Sequence, residues 1–190
     1  MRQIGRRLLW LLPAVALVAL DQWTKVLAKS QLAEPFVLIP GVLEFTYTEN
    51  TGAAWSMLSG KQTFLIIVTA CMLALVLLAL LKGPWKHPAA HIAEMLLIAG
   101  GVGNLIDRAA RKYVVDFIYV KAIDFPVFNV ADCSVCIGAC LLAIYVLFFS
   151  EKEDSRGDKA TTAVGDDGGT AGQGSGAEPL RDTGDSAKVD

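Results

Sequence analysis

The chain has 190 residues, of which 54% are hydrophobic and only 19% charged. A soluble domain carries about 25% charged residues, so a small water-facing core is excluded as the sole home of this apolar material, and a net charge of −2 offers no basic surface for nucleic acid. The charge is unevenly divided: residues 1–150 hold twelve Lys/Arg against nine Asp/Glu, and residues 151–190 hold five against ten.

Four apolar stretches follow in order. The first runs from Leu8 to about Ala28, purely apolar to Leu20 and then carrying Asp21 and Lys25. A cleaved signal peptide is the rival reading, since Arg2, Arg6 and Arg7 precede it. The only small-residue cleavage pattern, Ala14-Val15-Ala16, falls inside the apolar run and argues against removal. Residues 36–48 form two β-prone runs broken at Pro40-Gly41. The second stretch, Phe64 to Leu81, has no charge. The third, Ile92 to about Ile106, is apolar apart from Glu94 and Asn104. Val114 to Val120 and Phe125 to Val130 are again β-prone, and the fourth stretch, Val130 to Phe149, holds only Asp132. A bilayer core of about 30 Å takes some 17–25 helical residues, so the second and fourth are plain spans and the first and third interrupted ones. The expectation is an all-α membrane protein: four transmembrane helices within residues 1–150, and a small extracytoplasmic β-sheet lying on the membrane surface. The segment Glu151–Asp190 carries eight of the seventeen glycines and no aromatic residue, the composition of a disordered acidic, Gly-rich tail.

Orientation rests mainly on the first helix. Arg2, Arg6 and Arg7, with Lys82 and Lys86 in the second loop, predict both termini and the tail in the cytoplasm; Arg108, Arg111, Lys112 and Lys121 in the third loop run against that rule. The alternation of spans then brings Asp21, Lys25, Asn50, Asn104, Asp107, Arg108, Asn129 and Asp132 toward one outer face. Ionisable groups within spans are costly and face a bundle interior or water, so each is a functional candidate or a helix-pairing group. For Asp21, Asp107 and Arg108 both readings stand, Arg108 being suited to clamp a carboxylate with its planar fork. Asn129 sits where a helix should start, as a favoured N-cap, which puts Asp132 in the first turn near the positive end of the dipole. Asp116 lies in a β-prone run instead. Two carboxyls in different surroundings can hold different protonation states, as hydrolysis by an aspartyl pair requires.

Five blocks carry a resemblance: Asp21-Gln22-Trp23-Thr24-Lys25; Asn50-Thr51-Gly52-Ala53-Ala54-Trp55-Ser56; the run from Gly100 and Gly101 through Gly103 to Asn104-Leu105-Ile106-Asp107-Arg108; Val114-Val115-Asp116-Phe117-Ile118; and Phe128-Asn129-Val130-Ala131-Asp132, with Gly138 six residues on. In that order, between four apolar stretches, residues 8–150 resemble the lipoprotein signal peptidase (signal peptidase II) family. Trp55 stands where that motif often has Phe. The resemblance implies an aspartyl endopeptidase of the bacterial inner membrane. It would cut diacylglyceryl-modified prolipoproteins just before the lipidated cysteine, with Asp116 and Asp132 as the catalytic pair acting on a water. Asp21, Lys25, Asn50, Gly52, Asn104, Arg108 and Asn129 would bind substrate or support the site. The expected partners are prolipoprotein substrates and membrane lipids; no cofactor, metal or covalent intermediate is expected.

Other signals weigh less. Cys133, Cys136 and Cys140 share a helix face but lie in a span without a fourth zinc ligand, and read with Cys71 as small packing residues. His87, His91 and Glu94 lack the His-Glu adjacency of a zinc protease helix, because Pro88 follows His87. Both histidines lie at the face opposite the acidic residues, which disfavours a serine or cysteine hydrolase. An ion-coupled transporter would want carboxylates at mid-bilayer and often repeated halves; the acids gather at one face and no repeat is found. An assembly factor whose acids only dock helices is the other alternative.

Overall fold

A computed structural model of the chain describes residues 2–53, 57–83, 85 and 87–149. Five helices and a three-stranded sheet are found among them: α1 (Arg2–Leu8), α2 (Leu11–Gln31), β1 (Phe36–Ile39), β2 (Leu43–Asn50), α3 (Gln62–Lys82), α4 (Pro88–Arg111), β3 (Val114–Val120) and α5 (Val130–Phe148). Trp55 and the 151–190 segment, on which sequence expectations were placed, lie outside the described residues.

The first apolar stretch does not form one helix. Two turn hydrogen bonds, from the Trp10 N–H to the Arg7 carbonyl and from Leu12 to Leu9, separate α1 from α2. Pro13 then falls in the first turn of α2, where its missing N–H costs no ladder bond. The buried residues of α2 are Ala14, Asp21, Lys25 and Ala28, a single stripe at spacings of seven, four and three. The opposite side carries exposed Leu12, Val15, Trp23 and Val26. A water-soluble helix would show the reverse pattern.

Helix α3 buries only Leu65 and Leu80, leaving Phe64, Ile67, Met72, Leu75 and Leu78 on the surface. Among the described residues three helices, α3, α4 and α5, are long and apolar enough to cross a membrane; α2 interrupts its apolar run with Asp21, Gln22 and Lys25. Helix α4 packs against α2, α3 and α5. It opens on His87, whose Nδ1 accepts from the Ala89 N–H at 3.1 Å, and closes on Lys112 in the left-handed conformation. Small residues let α5 approach it: a Cβ on Gly100 would collide with the Ala131 carbonyl, and one on Gly138 would lie 3.0 Å from that of Ala93.

The sheet is antiparallel in the order β1-β2-β3. The turn at Pro40-Gly41 joins β1 to β2, with Gly41 at φ +72°, a conformation glycine adopts without strain. Between β2 and β3 the pairs Asn50–Val114 and Thr48–Asp116 fix the register at the end nearest the helices' polar residues. Phe125–Val130, β-prone in sequence, is not a strand. Pro126 has no N–H to donate, Val130 already begins α5, and Phe128 makes an isolated β-bridge with Ile118.

Candidate active site

The nine residues singled out from sequence lie in one connected network. Asn129 is its centre. As N-cap of α5 it closes a capping box: its Oδ1 accepts from the Asp132 N–H at 2.9 Å, and its own N–H donates to Asp132 Oδ2 at 3.1 Å. Its Nδ2 donates to Asp116 Oδ1 at 2.7 Å and shares its second hydrogen between Asn104 Oδ1 and the Val115 carbonyl, at 3.2 and 3.3 Å. Asp116, on β3, also accepts from Asn50 Nδ2 at 2.9 Å, and Asp132 from Asn104 Nδ2 at 2.8 Å. Both carboxyls are thus held by amide donors, and both are tied to Asn129. Asp116 is 2% exposed. Burial first, and the charge of Asp132 second, push its carboxyl up to about 6, against the opposing hydrogen bonds of Asn50 and Asn129. Asp132 is half-buried.

A second layer lies beneath. Lys25, fully buried, has three donors and three acceptors: Asp21 Oδ2 at 2.9 Å, Asp107 Oδ2 at 3.1 Å and Asn104 Oδ1 at 2.9 Å. Asp107 Oδ1 takes Arg111 Nη1 at 2.6 Å, and its Oδ2 takes the Val115 N–H at 3.1 Å, next to Asp116. Asp21 Oδ1 accepts from the Ala131 N–H at 2.9 Å, satisfying one of the orphan donors at the start of α5. Gln22 Nε2 reaches Asp21, Asp107 and the Gly103 carbonyl. Two carboxylates and two cations therefore interlock α2, α4, β3 and α5, directly under the asparagine that carries the acidic pair.

Arg108 departs from the sequence expectation. Among the described residues no ion pair joins it to a carboxylate; Asp107 is clamped by Lys25 and Arg111 instead. A helix places residues 107 and 108 about 100° apart, so Arg108 faces away from its neighbour's partners. Its Nη2 donates to the Gly52 carbonyl at 3.2 Å, and its buried Nε has no partner among the described residues. The guanidinium still interacts electrostatically with Asp132, Asp116 and Asp107. Gly52 returns its N–H to Asn50 Oδ1 at 2.8 Å, which joins the Asn50 loop to the network. Arg111 and Gln22 were not anticipated as site residues. Arg111 carried a usable signal, four residues after Asp107; Gln22 carried only its place beside Asp21.

The other sequence signals fall elsewhere. His91 Nδ1 lies 3.0 Å from Glu94 Oε2, and the His87 ring stacks on Phe149 with centroids 5.5 Å apart. Cys71, Cys136 and Cys140 are exposed on the helix surfaces rather than packed, a correction to the packing expectation: they stand among residues such as Met72 and Ile137 on the apolar exterior.

Known proteins resemble this chain over most of its length. The family model for signal peptidase (SPase) II matches residues 13–148. The lipoprotein signal peptidase of Geobacillus thermodenitrificans is 40% identical over 152 residues, 78% of this chain and 95% of that one. The lipoprotein signal peptidase of Enterococcus faecalis is 37% identical over 154 residues, 80% and 95% of the two chains. A solved bacterial membrane enzyme, 39% identical, superposes with a TM-score of 0.68 over 75% of this chain and 88% of its own. A second, 38% identical, superposes at 0.67 over 77% and 95%. Apolar helices, a small antiparallel sheet and these relatives define a membrane enzyme of the aspartic endopeptidase class. Within that class, the chain belongs to the signal peptidase II family.

Proposed function

We propose that the chain removes signal peptides from diacylglyceryl-modified bacterial prolipoproteins, cutting just before the lipidated cysteine, with Asp116 and Asp132 as its catalytic pair. The observation that carries this reading is that one residue, Asn129, hydrogen-bonds both carboxyls at once, through its side chain and through its backbone. The ionised member takes a proton from a water lying between the two. The water oxygen bonds to the scissile carbonyl carbon while the protonated member gives its proton to the carbonyl oxygen. Collapse of the resulting diol passes a proton to the cysteine nitrogen and breaks the C–N bond, so no acyl-enzyme forms. Arg108, whose buried Nε lacks a partner among the described residues, offers a donor to a substrate carbonyl. The remaining residues hold this frame: Asn50, Asn104 and Gly52 within the network, Asp21 and Lys25 beneath it.

The same reading places α2 as a fourth span, both termini in the cytoplasm, and the sheet on the outer surface of the bacterial inner membrane. Arg2, Arg6 and Arg7 before the first apolar run support that orientation. A substrate anchored by its diacylglyceryl group arrives by diffusion in the membrane, so a site at the end of the helices meets it at the height of its lipid linkage. The test is incubation of purified protein with a diacylglyceryl-modified prolipoprotein. Asp116→Asn and Asp132→Asn should each lower cleavage by about 10²–10⁴-fold while the protein still inserts and accumulates. Near-normal turnover by both single variants would eliminate the pair.

A further inference from the structure

A cavity of about 640 Å³ opens at the start of α4, lined by Arg6, Arg7, Trp10, Trp85 and His91 with the apolar edges of Leu9 and Pro13. Helix α4 has 24 residues, which puts its two ends about 36 Å apart at 1.5 Å per residue. The cavity is therefore at the far end of the molecule from Asn104 and Asp107, and catalysis as proposed makes no use of it. Arg7 is partly immobilised: its Nη1 donates to the Leu80 carbonyl at 3.3 Å and its Nη2 to that of Trp85 at 3.2 Å. Five N–H donors in a planar fork leave it with hydrogens to spare, while Arg6 is exposed.

Among the described residues the charged groups around the cavity are few. His91 Nδ1 lies 3.0 Å from Glu94 Oε2, and its ring is tilted against Trp10 with centroids 5.9 Å apart, which leaves Nε2 to the cavity. Glu94, fully buried behind His91 and in electrostatic reach of Arg7, sets one carboxyl against two guanidiniums. The lining itself carries no carboxylate among the described residues, and its balance stays positive. Tryptophans beside arginines at the end of apolar helices are what a membrane interface selects. Basic recesses between such helices suit phosphate head groups, and the cavity has the volume of a small-molecule site. On the apolar side Leu9 leads to exposed Leu12, a surface along which an acyl chain can lie.

We infer that this cavity binds the phosphate head group of an anionic phospholipid from the leaflet opposite the carboxylate pair. The inference rests on the membrane reading of α2 to α5 but not on the peptidase chemistry. The test uses the full chain in phosphatidylcholine nanodiscs doped with phosphatidylglycerol, with lipid retained on the extracted protein read by native mass spectrometry. Phosphatidylglycerol should be enriched over phosphatidylcholine in the wild type. Arg6→Gln should lower that enrichment by about fivefold, the effect of one interfacial cation, and Arg6→Lys should restore most of it. Inorganic phosphate added in millimolar excess should fail to displace the lipid. Equal retention of the two lipids, an Arg6→Gln variant as selective as the wild type, or displacement by inorganic phosphate alone would overturn the inference. Cleavage of prolipoprotein by the wild type in the same discs reports separately on Asp116 and Asp132.

Discussion

Asp116 is shaped by four neighbours, Asp132, Asn50, Asn129 and Lys25, that act in opposite directions. Burial and the nearby Asp132 raise its carboxyl from the ordinary 3.8 to about 6, and the amides of Asn50 and Asn129 resist the rise. The folded chain therefore holds a proton on Asp116 at pH values where the unfolded chain has lost it. Between about pH 4 and 6 the native state binds more protons, so stability falls as pH rises through that interval and levels off above it. A shift of this size corresponds to at most about 3 kcal/mol. Comparing unfolding of the wild type and Asp116→Asn in detergent from pH 4 to 7 reads the effect together with its coupling to Asp132, because groups remote from the pair cancel in the difference. The wild type should lose stability relative to the variant as pH rises; a difference independent of pH would contradict the raised value. Lys25 is the opposite case. Each of its three acceptors is buried or shared, and Lys25→Met would leave Asp21 and Asp107 facing a missing cation. Removing one partner of a buried pair costs about 3–5 kcal/mol, so unfolding of this variant in detergent should shift far more than that of Lys29→Met, whose exposed ammonium donates to the Tyr113 hydroxyl.

At the scale of elements, the site depends on how closely α2, α4 and α5 approach. A Cβ on Gly103 would stand 2.6 Å from Asp21 Oδ2 and 3.2 Å from the Ala131 Cβ. Gly103→Ala must push the Asp21 carboxylate off either Lys25 or the Ala131 N–H, and should cost about 1–3 kcal/mol together with cleavage. Gly101→Ala meets the flexible end of Leu73, which can rotate away, and should leave both unfolding in detergent and cleavage nearly unchanged. Equal effects of the two substitutions would show that the crossing tolerates a methyl group. Local chemistry made several of these elements readable beforehand. The β-branched run Val114–Val120 is a strand with those bounds, and Asn129 caps the helix that holds Asp132 in its first turn, because propensity and capping act over a few residues. What sequence did not show was set by packing between elements. The Asp107 clamp needs Lys25 from another helix, and Arg108 turns to Gly52 because the Asn50 loop folds over it. Phe125–Val130 had β composition, but helix capping claimed its last residues.

For the whole molecule, the distribution of polar groups inverts the soluble pattern. Asp21, Lys25, Asn104, Asp107 and Asn129 are inside, while Leu12, Phe64, Leu75 and Leu147 are on the surface. In water such a surface would drive aggregation; in lipid it costs nothing, and the interior ionic network becomes the part that specifies how the helices meet. The share of the chain committed to this arrangement is bounded. The family match ends at residue 148, and the chain spans 95% of the Geobacillus relative with only 78% of its own length. The acidic segment beyond Ser150 lies outside the residues that the family model matches. Every residue of the amide network, and the ion pairs beneath it, lies before that point. Truncation after Lys152 should therefore leave cleavage of a diacylglyceryl-modified prolipoprotein within about twofold of the full chain, a difference of about 0.4 kcal/mol in barrier. The measurement is turnover in native membranes at matched enzyme levels. A loss of tenfold or more would assign the segment a part in the reaction that neither its composition nor the relatives foretell.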